Sequence, residues 1–139
     1  MQINAKKTVV SFAAALMLPL LMAAAPAVAA PQASVTPLRT EALPEYPGKE
    51  VEMIVVDYPP GAVDPVHRHD AHAFVYVLEG SIVMGVKGGK EVTLKPGDTF
   101  HEGPGDIHTV GRNASATQPA KFMVLLIKNK GTPILTPVK

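Results

Sequence analysis

From about position 50 the chain is a series of short apolar runs separated by turn residues. Val51–Tyr58 (VEMIVVDY) is rich in Val and Ile and stops at Pro59-Pro60-Gly61. Ala73–Leu78 (AFVYVL) is a second β-branched and aromatic run, closed by Glu79-Gly80. Ser81–Val86 follows, and Gly88-Gly89 separates it from Glu91–Lys95, which alternates polar and apolar as a half-buried strand does. A Gly pair between two such runs signals a tight hairpin, since hairpin turns need residues tolerant of positive φ. Pro96-Gly97-Asp98 is a further turn, and Thr99–Glu102, Ile107–Arg112 and Ala120–Lys128 complete the set. No stretch beyond residue 30 carries a helical period. Several short strands with regular turn signals predict an all-β sandwich or barrel. A small closed barrel fills its interior with side chains or holds one small ligand.

The first thirty residues follow other rules. Lys6 and Lys7 precede an apolar run, Thr8–Ala24, and small residues follow it, including Ala27-Val28-Ala29. This is the three-part pattern of a secretory signal peptide, and cleavage is expected after Ala29. A membrane anchor needs ~20 apolar residues to span a bilayer, and Pro19 interrupts a run of marginal length. The organisation expected is a leader over 1–29, a Pro-rich extended arm over 30–49, a barrel over 50–130 and a tail over 131–139 lying against the surface. The expected location is the periplasm or the extracellular medium, with no stable membrane association after cleavage.

Composition and charge then narrow the function. The 139 residues carry 13 Lys+Arg against 12 Asp+Glu, a net charge of +1 that becomes −1 once the leader and its two lysines are removed. Nothing in that balance favours nucleic acid. The chain has no Cys, which excludes disulfides, thiolate metal sites and thiol nucleophiles. No phosphate-cradling loop and no Ser-His-Asp arrangement with a nucleophile turn is visible.

All five histidines fall between positions 67 and 108. His67-Arg68-His69 on a strand would put two imidazoles on one face, able to converge on a metal ion that needs nitrogens at ~2.0–2.1 Å. His108, after the turn Gly103-Pro104-Gly105-Asp106, is the candidate third ligand. Arg68 alternates with the two ligands and so points away from them.

These residues resemble the cupin family. Gly61-x5-His67-x-His69, with Gly80 further on, is similar to the first cupin motif, and Gly97 through Gly105-x2-His108 is similar to the second. The resemblance implies a single cupin barrel, the double-stranded β-helix or jelly roll, over roughly Val51 to Ile127. It also implies one divalent transition ion (Fe, Mn, Ni, Cu or Zn) on His67, His69 and His108. The departures are specific. The slot for the family's metal-binding glutamate holds Ala73, or Phe74 at the longer spacing, and neither binds metal. The proline and asparagine slots of the second motif hold Gly103 and Arg112, with Pro104 and Asn113 one place later.

Two residues are candidates for the missing carboxylate's role as ligand or proton carrier. His72 stands one place before the vacant slot. Alternation from His69 points it the other way, but a turn at Asp70-Ala71-His72 would break alternation. Glu102 and His101 precede the second-motif turn, and a regular strand turns only one of them inward; Glu102 shares parity with Phe100 and His108. Phe74 and Tyr76 read as barrel or dimer-face aromatics, Met53, Met84 and Met123 as core filler, and Arg112 as a surface ion-pairing residue.

Two functions compete. One is an exported metal-dependent enzyme, dioxygenase-like or isomerase/lyase-like, acting on a small molecule. The other is a non-catalytic cupin that binds a metal or small ligand. The resemblance further implies a homodimer formed through sheet edges.

Overall fold

The computed structural model describes residues 29–138, so all but the last residue of the leader expected over 1–29 lies outside the described residues. Ten strands follow in order: β1 Ser34–Ala42, β2 Lys49–Tyr58, β3 His67–Arg68, β4 Ala71–Glu79, β5 Ile82–Val86, β6 Val92–Leu94, β7 Thr99–Glu102, β8 Ile107–Asn113, β9 Ala120–Asn129 and β10 Thr136–Pro137. They form two five-stranded sheets, β1-β2-β9-β4-β7 and β10-β3-β8-β5-β6. Every pairing is antiparallel. This is the all-β jelly roll expected from the alternating runs.

The period-2 patterns translate directly into burial. Along β4 the inward residues Ala71, Ala73, Val75 and Val77 are buried, while His72, Phe74, Tyr76 and Leu78 are exposed. β9 alternates in the same way and sends Phe122, Val124 and Leu126 inward. These meet Ile54, Val56 and Tyr58 of β2 and Ile82 and Met84 of β5 in one core. The Tyr58 and Phe122 rings meet edge to face at 4.9 Å, a favoured aromatic geometry.

The arm and the tail form more regular structure than their proline content suggested. The arm contributes β1, an edge strand paired with β2 from Ser34↔Asp57 to Ala42↔Glu50, with a register shift between Pro37 and Arg39. Proline cannot donate to a ladder, so an edge strand with a bulge is where it can sit. The tail does more than cover the surface. β10 pairs with β3, setting Pro137 opposite His67 and Thr136 opposite Arg68.

A buried charge cluster fixes where that tail begins. Lys128 Nζ donates to Glu50 Oε1 at 2.5 Å and to the Thr132 carbonyl at 2.8 Å, and Gly131 N–H donates to the same Glu50 oxygen at 3.0 Å. Glu52 lies 3.1 Å from the ammonium. The turn after β9 is thereby tied to β2, and the chain is directed back across the barrel mouth.

Turn chemistry follows the glycines. Gly80 has φ +68°, and a Cβ there would meet Ala120 Cα at 2.8 Å, so the glycine ending the first motif is required by both conformation and space. The Gly88-Gly89 hairpin joins β5 to β6 as the sequence implied, although only Gly88 takes positive φ. Asn113 is buried and donates to the carbonyls of Tyr58, Pro59 and Gln118, which makes it a loop-anchoring residue.

Candidate metal centre

The three expected ligands meet at one end of the barrel. His67 in β3 is the direct register partner of His108 in β8, and His69 follows one residue past the end of β3. Their potential ligand atoms all lie within 4.8 Å of one another. His67 Nε2 is 3.2 Å from His69 Nε2 and 3.2 Å from His108 Nδ1. The rings stand edge to face, with centroids 4.8–4.9 Å apart.

Backbone carbonyls decide which nitrogen of two rings faces the site. His67 Nδ1–H donates to the Pro65 carbonyl at 2.8 Å. His69 Nδ1–H donates to the Ile134 carbonyl at 2.5 Å. With each Nδ1 used as a donor, a neutral ring presents only a lone pair at Nε2. Two such lone pairs facing each other at 3.2 Å repel unless a cation lies between them. Second-layer carbonyls of this kind commonly orient metal-binding imidazoles.

A carboxylate completes the group. Glu102 Oε2 lies 3.5 Å from His108 Nδ1 and 3.9 Å from His69 Nε2. Glu102 is 2% exposed, and its Oε2 has no hydrogen-bond partner. A buried carboxylate oxygen without a partner is costly, and a cation among the histidines removes that cost. Adjacent donors bound to one ion at ~2.0–2.2 Å are spaced by roughly 3–3.5 Å, close to the separations seen. The residues present therefore fit a divalent transition ion.

Burial sets the protonation of these groups in the metal-free chain. His108 is pushed down to about 4, first by burial and then by the charge of His67. His69 is lowered by burial, against the raising effect of its bond to Ile134. Glu102 is pushed up to about 7 by burial, with Asp106 and Asp64 adding to the effect.

The group opens into a cavity of about 210 Å³. Its walls are largely apolar, with Ile54, Val56, Val75, Met84, Phe122 and Val124 from the core. Ala33 and Val35 at the start of β1 and Ile134 and Leu135 before β10 form part of its lining. No Lys or Arg lines the cavity among the described residues. Such a site, apolar with a few convergent polar groups, suits a small molecule.

Other sequence candidates sit elsewhere. His72 is not brought to the three histidines. β4 already runs from Ala71, so the turn expected at Asp70-Ala71-His72 ends before His72, regular alternation holds, and its side chain lies on the exposed outer face. His101 is exposed and Glu102 buried, so the regular β7 turns only the carboxylate inward. Phe74 and Tyr76 are exposed on the outer face of β4. Arg68 pairs with Asp70 at 3.4 Å and Arg112 with Glu91 at 3.7 Å, both at the surface.

Sequence reasoning missed Asp64, Tyr58 and the tail. The Tyr58 hydroxyl donates to Asp64 Oδ2, and both residues line the cavity. Burial raises Asp64, while the Tyr58 bond opposes the rise. A Cβ at Gly111 would meet Asp64 Oδ2 and His108 Cε1, each at 3.0 Å, so this glycine makes room where the two side chains converge. The Asp64-Pro65 dipeptide just before His67 was the available signal. Nothing in the sequence of the tail pointed to the Ile134 carbonyl.

A family model described as a cupin domain matches residues 54–126, more than half of the chain. The chain belongs to the cupin family. No curated protein matches this cupin. Among solved structures it is similar to the DMSP lyase DddQ from Ruegeria pomeroyi DSS-3, with 25% identity and a TM-score of 0.57 over 63% of this chain and 43% of the lyase. It is also similar to an oxalate oxidase in complex with the substrate analogue glycolate, with 27% identity and a TM-score of 0.59 over 76% of this chain and 55% of the oxidase. The cupin thus spans less than half of the lyase and a little over half of the oxidase. A cupin domain from Bordetella pertussis Tohama I, 23% identical, has a TM-score of 0.55 over 73% of this chain and 98% of its own length, and shares the fold.

Proposed function

We propose that this cupin is a metal-dependent enzyme acting on a small, largely apolar molecule that binds through oxygen, in a reaction that moves a proton on the substrate. The observation that carries the reading is the convergence of His67, His69, His108 and the unpartnered Glu102 oxygen at one end of an apolar cavity. When bound there, a divalent ion supplies Lewis-acid polarisation of a substrate oxygen.

The chain's own residues supply the rest. His67 and His69 are oriented by the Pro65 and Ile134 carbonyls. Glu102 takes the place of the family's missing carboxylate as the fourth donor. Asp64, held by the Tyr58 hydroxyl, is the remaining cavity carboxyl and exchanges a proton at Oδ with the bound molecule. Ile54, Val56, Val75, Phe122 and Val124 exclude water from that exchange. With no Lys or Arg in the lining, a neutral molecule or a monoanion fits better than a dianion. The likeness to a lyase and an oxidase that act on small molecules supports an enzyme over a passive binder. The leader-like sequence supports export to the periplasm.

The test compares the wild type with Asp64→Asn at matched metal content on a panel of small hydroxy acids, enediols, thiols and phenols. Turnover by the wild type that falls at least ~100-fold in Asp64→Asn, with metal binding retained, supports the role of Asp64. Equal turnover by the two proteins contradicts it.

A further inference from the structure

The cavity has two unlike walls. Its polar groups gather on one side: His67, His69 and His108 with Glu102 beside them, and Asp64, whose N–H donates to the Gly111 carbonyl of β8. The facing wall is built by β4, β9 and β2 in rows that strand register sets. The first row runs from Glu102 through Ala73 to Leu126. The second is Val75, Val124 and Ile54, and the third is Val77, Phe122, Val56 and, on β1, Val35. Successive rows on one face are two residues apart, so the third lies roughly 14 Å along the strands from Glu102. Only two residues of the lining are exposed, Val35 at 50% and Leu135 at 37%. β1 and β10 are outer strands of their sheets and do not pair with each other, so the cavity opens as a slot between β1 and the segment leading into β10. Leu135 follows Ile134, whose carbonyl holds His69, and so marks the histidine end of the slot. Val35 marks the far end.

We propose that the substrate is an aliphatic molecule with one oxygen-bearing head, of which a medium-chain monocarboxylate is the simplest, and that its unreactive chain runs along the second and third rows to the slot at Val35. Placing the head at the three histidines rests on the function proposed above; the course of the chain rests on the walls alone. Ile54, Val75 and Val124 and then Val56 and Phe122 are all buried and apolar, so each methylene laid against them is removed from water. A second charged group carried along that path meets no Lys or Arg and stays unpaired. Val35 meets the end of the chain and sets which ends are accepted. It is half exposed, so a chain longer than the path continues into solvent.

The experiment measures calorimetric binding of butanoate, hexanoate and octanoate, and of the dicarboxylates adipate and suberate, to the full chain loaded with Zn²⁺. Affinity should rise about three- to fourfold per methylene from butanoate to octanoate, and hexanoate should bind at least ~tenfold more tightly than adipate, its dicarboxylate of equal length. Val35→Lys should shift the preference between octanoate and suberate about tenfold towards suberate and leave butanoate unchanged. Leu135→Lys, at the histidine end, should change octanoate and suberate alike. Both variants should melt as the wild type does, since both residues are exposed. The metal-free protein, titrated with 1-butanol, 1-hexanol and 1-octanol, should show the same dependence on chain length. A trend seen with the alcohols and absent with the carboxylates would contradict the placing of the head, and with it the proposed function, while supporting the path of the chain. The proposal is overturned if neither series depends on chain length, if hexanoate and adipate bind equally, or if Val35→Lys leaves the ratio of octanoate to suberate affinity unmoved.

Discussion

Glu102 is the cross-strand partner of Ala73. Ala73 stands where the family places its metal-binding glutamate, and it is fully buried. In the proposed site, the carboxylate absent from β4 is supplied by the facing residue of β7, from the neighbouring strand of the same sheet. Directly opposed residues in an antiparallel pair have Cβ atoms about 4.5–5.5 Å apart, so a long side chain on one strand can reach the site that a residue on the other would serve.

Moving that carboxylate back should therefore be tolerated in part. Glu102→Ala is expected to weaken metal binding by about 10–100-fold. The double variant Glu102→Ala with Ala73→Glu should recover a measurable share of it. Competition with a chromophoric chelator reads both. Failure of Glu102→Ala to change affinity would remove Glu102 from the ligand set.

The pH dependence follows from two opposed shifts. Glu102 is raised from 4.5 to about 7 in the metal-free fold, so it costs stability as pH rises between those values. His108 is lowered from 6.5 to about 4, so it adds stability as pH rises between those values. Metal-free wild type should lose stability relative to Glu102→Gln as pH rises from about 4.5 to about 7, measured by urea unfolding. Metal affinity should rise over the same window, because a cation needs Glu102 ionised, and Glu102→Gln should flatten that part of the profile.

The tail should matter to the metal as well as to the fold. Removing the chain from Ile134 onward deletes the carbonyl that accepts from His69 Nδ1 and the strand beside His67. Metal binding should fall by about 10–100-fold, whereas Leu135→Ala, which keeps the backbone, should leave it within a few-fold. Equal affinity in the truncated and full chains would show that the tail does not orient His69.

Gly80 offers a test of the turn that ends the first motif. Gly80→Ala places a Cβ against Ala120 at a residue with φ +68°. It should destabilise by more than about 1 kcal/mol, whereas Gly88→Ala, with positive φ but open space, should cost less. Thermal melting of the two variants gives the comparison.

The strands and the three ligands were legible because they depend on local pattern. Val-rich alternation, turn residues and the H-x-H spacing are each carried by a few adjacent positions, and β7 and β8 fall within a residue of where the sequence put them. His72 was a candidate only if a turn at Asp70-Ala71-His72 broke the alternation; β4 begins at Ala71, two residues before the expected start at Ala73, and its alternation keeps His72 on the outer face. β1 and β10 were missed for another reason. Pro37 hides β1, Pro137 and a length of two residues hide β10, and they are strands only because β2 and β3 offer them an edge. The same holds for Asp64 and the Ile134 carbonyl, whose roles depend on contacts that sequence spacing does not encode. Glu102 lay between, visible by parity but placed opposite Ala73 only by the register of β4 and β7.

The most direct measurement is the metal content of the purified protein together with its response to His67→Ala. The account expects close to one divalent transition ion per chain, retained through gel filtration. It also expects wild-type melting to drop when a chelator removes that ion, and His67→Ala to bind far less metal and to show no such drop. A wild-type protein that carries no metal, takes up none at the three-histidine group on titration and melts as His67→Ala does would contradict it.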